Sequence, residues 1–134
     1  MVDPGPLVAT LSREDAYHQA CLDALPGIAA PLFSCWPVIT EAAWLLRHSR
    51  RAIQQLLSSM DMGFLEFLPL AGYEAKAIAS LMKKYESVRP QLADASLVYL
   101  AGREQIGTIF TLDRRDFSIY RTGRKRSFRI LPEI

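Results

Sequence analysis

Two cysteines, two histidines and no long apolar run remove several classes of protein before any motif is read. Cys21 and Cys35 are too few for a disulfide framework and read as two reduced thiols. His18 and Cys21 could face one way on a helix, but no second ligand pair completes a zinc site, so packing is the expected role. No apolar stretch approaches the roughly 20 residues that a membrane span requires. The N-terminus, MVDPGPLVATLSRED, lacks a basic segment followed by an apolar one, so no signal peptide is expected and the chain reads as soluble and cytoplasmic. Repeats, low-complexity tracts and interior linkers are also missing. A single domain over residues 1–134 is the expectation.

Charge is nearly balanced, 16 basic against 14 acidic residues, so net charge alone names no partner. Its distribution says more. Arg121, Arg124, Lys125, Arg126 and Arg129 crowd the C-terminal end, where a basic cluster suits either solvent or a phosphate backbone. Half of the residues are hydrophobic and 22% are charged, a globular composition.

The central stretch is LADASLVYLAGREQIGTIFTLDRRDF, residues 92–117. Leu97, Val98 and Ala101 recur at helical spacing, with Asp94 on the same face. Gly107 ends that pattern, and Thr108 to Leu112 has the β-branched and aromatic content of a buried strand. Asp113 and Asp116 then fall in an acidic loop. Upstream, Val2-Asp3-Pro4-Gly5-Pro6 reads as a turn, and Ser12 as the cap of a helix that ends at Pro26-Gly27. A strand at 32–36 leads into a helix that has Pro37 in its first turn and carries Ala42, Ala43, Leu45 and Leu46. Helices over about 51–60 and 71–85 enclose a strand at 63–68. The second of them is expected to turn Ala75, Ile78, Ala79 and Met82 inward. Residues 128–131 form a last strand. Strands alternating with helices predict an α/β fold with a mostly parallel sheet.

Four carboxylates fall at meaningful places in such a fold. Asp3 and Asp113 follow candidate strands, while Glu41 and Asp94 sit in what read as the first turns of helices. Taken singly, each has a structural role open to it: turn chemistry for Asp3, a favourable helix dipole for Glu41 and Asp94, and pairing with Arg114 or Arg115 for Asp113 and Asp116. Taken together, strand C-termini and helix N-termini share one rim of a parallel sheet. Clustered carboxylates repel unless a cation lies among them. Oxygen ligands without histidine select Mg2+, with Mn2+ as a plausible substitute. Such ions support phosphodiester hydrolysis.

The pieces VDPGPLVATL, PVITEAAWLL, LADASLVYLA and TLDRRDFSIYR, in that order and spacing, resemble the PIN-domain ribonucleases of the VapC toxin type. The resemblance implies a three-layer α/β/α fold with a central, mostly parallel sheet of about four or five strands. It implies a metal-dependent endoribonuclease acting as the toxin of a toxin–antitoxin pair. Its catalytic carboxylates would be Asp3, Glu41, Asp94 and Asp113. Asp3, Asp94, Asp113 and Asp116 would hold the metal, with Glu41 binding metal or orienting a water. Arg114, Arg115, Arg121, Arg124 and Lys125 are the expected substrate-binding residues. RNA, a cognate antitoxin protein and a second copy of the chain are the implied partners.

Two departures stand out. Only Met1 and Val2 precede Asp3, where the family has several apolar residues. Pro4 follows Asp3, where the family has Thr or Ser, and proline offers neither a hydroxyl nor an N–H. A catalytically impaired RNA- or partner-binding module is therefore the alternative expectation. A receiver-like signalling domain is set aside, because Pro69 and Leu70 follow the third candidate strand and no Lys follows the last. Tyr73, Tyr85, Tyr99 and Trp44 could serve an interface, with core packing the default for aromatic residues at helical spacing.

Overall fold

Asp3-Pro4-Gly5-Pro6, which reads as a turn, instead opens the first helix. In the computed structural model, which describes residues 1–133, α1 spans Pro4–Leu11 with proline in its first turn. Proline suits that position because its missing N–H would find no intrahelical partner there. Asp3 is the N-cap and Ser12 the C-cap, so Ser12 closes this helix rather than starting the next. The second helix, α2, spans His18–Ala24 and ends in a single 3-10 turn at Leu25–Gly27. Cys21 is fully buried, and the His18 ring Nδ1 lies 2.6 Å from the Ala9 carbonyl. Both residues thus fasten α2 to α1. Cys21 and Cys35 are unbridged.

β1 (Leu32–Ser34) leads into α3 (Trp36–Leu45), and α4 covers Arg50–Asp61, capped by the Ser49 hydroxyl accepting from the Ala52 N–H. β2 (Leu65–Phe67) pairs in parallel with β1, Phe33 opposite Glu66. After a 3-10 turn come α5 (Ala75–Lys84) and the long α6 (Leu92–Glu104). β3 (Thr108–Phe110), α7 (Arg114–Ile119), β4 (Arg121–Thr122), β5 (Arg126–Ser127) and β6 (Arg129–Leu131) complete the chain. β3 pairs in parallel with β6, Ile109 opposite Ile130.

The α/β fold is therefore present, and it is rich in helix. The anticipated sheet of four or five strands is reduced to short pieces: β1–β2 and β3–β6 parallel, β4–β5 antiparallel. The N-terminal residues touch both parallel pieces. The Val2 N–H donates to the Phe33 carbonyl and the Asp3 N–H to the Phe110 carbonyl, each at 2.9 Å. Two apolar residues before Asp3 are thus enough to seat it at the ends of β1 and β3. The 113–117 stretch is also not the expected loop, since Asp113 caps α7 by accepting from the Asp116 N–H at 3.1 Å. A one-turn helix of this kind is signalled only by its cap.

α6 packs against both α5 and α3, and its buried residues run nearly all round it, Ala93, Ala95, Leu97, Val98, Leu100 and Ala101 among them. Several expected core residues lie outside. Leu45, Trp44 and Tyr73 are exposed, the last 86% so. On α5, Ile78 is buried but Ala75 and Ala79 face solvent. The inward face instead follows Glu74, Ile78, Leu81 and Tyr85, steps of three and four residues. Among the described residues no helix is long and apolar enough to cross a membrane.

Candidate metal and nuclease site

Four elements deliver the five acidic residues. Asp3 stands at the entry to α1, Glu41 in the second turn of α3, Asp94 at the third position of α6, and Asp113 and Asp116 at the start of α7. Glu41 is thus not in a first turn, and the helix dipole is not what stabilises its charge. Its helix face is only half apolar, Val38 being buried and Leu45 exposed.

Asp3 is the innermost, 5% exposed. Its Oδ2 accepts from the Thr111 hydroxyl at 2.7 Å, and the same Thr111 oxygen accepts from the Asp113 N–H at 3.0 Å. The hydroxyl that Pro4 cannot offer comes from the end of β3. Thr111 joins the acidic group without having been expected there from the sequence; its signal is a threonine two positions before the strand-end aspartate. Asp3 Oδ1 is buried with no hydrogen-bond partner.

Electrostatics show that the carboxylates feel one another. Burial, and then the charges of Asp94, Glu41 and Asp113, push Asp3 up to about 7, with the Thr111 hydrogen bond opposing. Burial also raises Asp94 to about 6, helped by Glu41, Asp113 and Asp116 and opposed by the Gln91 N–H, which donates to Asp94 Oδ2 at 2.9 Å. Glu41 is raised by burial, and Asp116 by burial and by Asp113. Such shifts are what proximity of like charges and desolvation together produce.

The residues fit a hard divalent cation by donor type, all being carboxylates, and by the unpartnered Asp3 oxygen that a cation would satisfy. They do not form a closed cage: among the described residues, no three His, Cys, Asp or Glu side chains stand close enough to make a ligand cluster. One oxygen each of Asp3, Asp94 and Asp113 is committed to a local hydrogen bond.

The expected basic residues divide. Arg114 and Arg115 are exposed in the first turn of α7, beside Asp113 and Asp116, and Arg114 donates to the Pro132 carbonyl at 2.6 Å. Arg121 is spent on structure, donating to the carbonyls of Ser118, Ile119 and Tyr120. Arg124 and Lys125 project from the β4–β5 turn, where Gly123 and Lys125 have φ of +50° and +62°. That turn lies on the far half of α6 from Asp94: a Cβ on Gly102 would stand 3.3 Å from the Gly123 nitrogen.

No family model matches the chain. Ribonuclease VapC26 of Mycobacterium tuberculosis is 29% identical over 134 residues, covering 98% of this chain and 99% of the relative. The crystal structure of Mycobacterium tuberculosis VapC20, described as a sarcin-ricin loop cleaving toxin, superposes with a TM-score of 0.76 at 14% identity, covering 85% of this chain and 89% of that one. The chain is thus similar along nearly its whole length to one VapC ribonuclease and shares the fold of a second VapC protein.

Proposed function

We propose that this protein is a cytoplasmic, metal-dependent endoribonuclease that hydrolyses RNA phosphodiester bonds as the toxin of a toxin–antitoxin pair. The observation that carries the reading is the Asp3 carboxylate at the ends of β1 and β3, buried with one oxygen unpartnered, and raised by that burial and then by the charges of Asp94, Glu41 and Asp113. Near-full-length similarity to a VapC ribonuclease supports it. Asp3, Asp94, Asp113 and Asp116 would hold Mg2+, or Mn2+ in its place. The chemistry such an ion supplies is Lewis-acid charge beside the scissile phosphate and a more acidic attacking water. Thr111 fixes Asp3, Asp113 holds the start of α7, and Glu41, half-buried at the edge of the group, orients the water. Arg114 and Arg115 stand where a phosphate backbone approaching the acids would pass.

A homodimer and a neutralising antitoxin belong to the same proposal. Exposed apolar side chains support a protein partner: Trp36, Trp44, Met62 and Phe64 are each more than half exposed. An apolar cavity of about 410 Å3, lined by Leu7, Leu11, Ile28, Leu56 and Leu65 among others, lies between α1 and α4.

Expression in a bacterial host tests the toxin reading. Growth should stop on induction of the wild type and continue with an Asp94→Asn variant made to the same level. A folded wild type that leaves growth untouched and binds RNA without turnover at any Mg2+ or Mn2+ concentration would favour the impaired binding module. The Thr111–Asp3 contact weighs against that alternative, because the hydroxyl lost at position 4 is replaced.

A further inference from the structure

Three polar side-chain atoms among the described residues are buried without a hydrogen-bond partner: Asp3 Oδ1, Ser96 Oγ and Tyr120 OH. The first belongs to the acidic site. Ser96 lies two residues beyond Asp94, a step that turns it to a different side of α6. Tyr120 is the one that leads further.

Tyr120 is 1% exposed and follows directly on α7. Its ring is held edge-on by Tyr85 and by Phe117, each at a centroid distance of 5.0 Å and an angle of 82°. Side chains of a helix lean back toward its N-terminus, and Asp116 and Asp113 lie four and seven positions earlier on the same face. As the C-cap of α7, with its N–H bonded to the Asp116 carbonyl, Tyr120 keeps that register with the two acids. Its surroundings agree: burial, and then the charges of Asp94, Asp116, Asp113 and Asp3, hold the hydroxyl far above the ordinary phenol range. It remains a protonated, neutral donor, and no protein atom takes its hydrogen.

We propose that Tyr120 is a positioning residue of the acidic site, its hydroxyl donating through one water to the carboxylates of Asp94 and Asp116 and turning them toward a divalent cation. The inference rests on the metal-dependent reading above. A phenol is suited to the task because it can donate without adding charge, and its fixed ring leaves the oxygen little freedom to move. A buried hydroxyl with nothing to bond destabilises a fold, and phenylalanine would fill the same space; an idle hydroxyl could be removed at no loss.

The test is calorimetric titration with Mn2+ alone, in the absence of RNA, on the wild type, Tyr120→Phe, Ser96→Ala and Asp94→Asn, with the metal-free Tm of each. Tyr120→Phe should match or exceed the wild-type metal-free Tm and weaken Mn2+ binding about tenfold or more, while Ser96→Ala binds as the wild type does. Wild-type affinity in Tyr120→Phe overturns the proposal. As a measurement independent of that variant, Mg2+ binding should perturb the near-UV absorption of tyrosine in the wild type, and an unchanged spectrum counts against Tyr120. A wild type that binds no Mn2+, or no more tightly than Asp94→Asn, overturns the metal reading itself and the role of Tyr120 with it.

Discussion

The hydroxyl of Thr111 donates to the carboxylate of Asp3 across 2.7 Å, joining residues 108 positions apart at the ends of β3 and of the N-terminal segment. Because the same oxygen accepts from the Asp113 N–H, one threonine sets the positions of two acids. Thr111→Val keeps the shape and removes both bonds. It should lower RNA cleavage by about 10- to 100-fold, the usual cost of losing an outer-shell partner, and cost about 1–3 kcal/mol of stability through the unpaired buried groups. Denaturant titration and cleavage assays check the two effects separately. Full activity in Thr111→Val would remove Thr111 from the site.

The raised carboxylates give the metal-free protein a distinctive response to pH. Asp3 lies at about 7 and Asp94 at about 6 in the fold, against 3.8 in an unfolded chain. The native state therefore binds protons more tightly than the unfolded one, and stability falls as pH rises through this window. The contribution is fully present below pH 3.8 and lost above about pH 7. Without metal, Tm should be higher at pH 5 than at pH 8. Mg2+ should raise Tm more at pH 8, where the carboxylates are ionised, than at pH 5. Melting curves in EDTA and in Mg2+ decide it; a metal-free Tm that rises from pH 5 to pH 8 would contradict the burial of these acids.

Glu74 acts in the opposite sense and away from the site. Its carboxylate accepts from the Ala71 N–H, from the Tyr99 hydroxyl and from Arg103, tying the turn before α5 to α6. These bonds hold it down at about 2, so its contribution is present above 4.5 and lost as pH falls toward 2. Glu74→Gln should lower Tm at pH 7 while leaving the Mn2+ affinity of the folded protein unchanged. Loss of metal binding with unchanged Tm would place Glu74 in the wrong role.

Phe117 is fully buried and meets Tyr120 and Phe128 edge-on, at 5.0 and 5.7 Å. It anchors α7, and through α7 both Asp113 and Asp116. Phe117→Ala should cost about 3–5 kcal/mol, measurable by denaturant unfolding. Phe117→Leu, which keeps most of the apolar volume, should cost clearly less.

The site was more legible in the sequence than the sheet. Asp94 could be placed because α6 is long and bounded at both ends, and Pro37 marked the start of α3. Asp-Pro-Gly-Pro was ambiguous: the residues that favour a turn also favour an N-cap and first turn, and tertiary contacts of α1 with α2, α3 and α4 select the helix. α7 and the β4–β5 hairpin were missed because elements of two to six residues carry little periodicity. The exposure of Trp44, Leu45 and Tyr73 was not legible either, since apolar residues at helical spacing look alike whether they face the core or a partner. The Glu74 bonds to Tyr99 and Arg103 span 25 and 29 residues and leave no local trace.

The central claim is tested most directly by incubating purified protein with total bacterial RNA in Mg2+, in Mn2+ and in EDTA, beside the Asp94→Asn variant. Discrete RNA fragments that appear with either metal, vanish in EDTA and are absent with Asp94→Asn are the predicted result. Fragments that persist in EDTA, or that a folded Asp94→Asn protein produces equally well, would contradict the assignment of this acidic site as a metal-dependent ribonuclease centre.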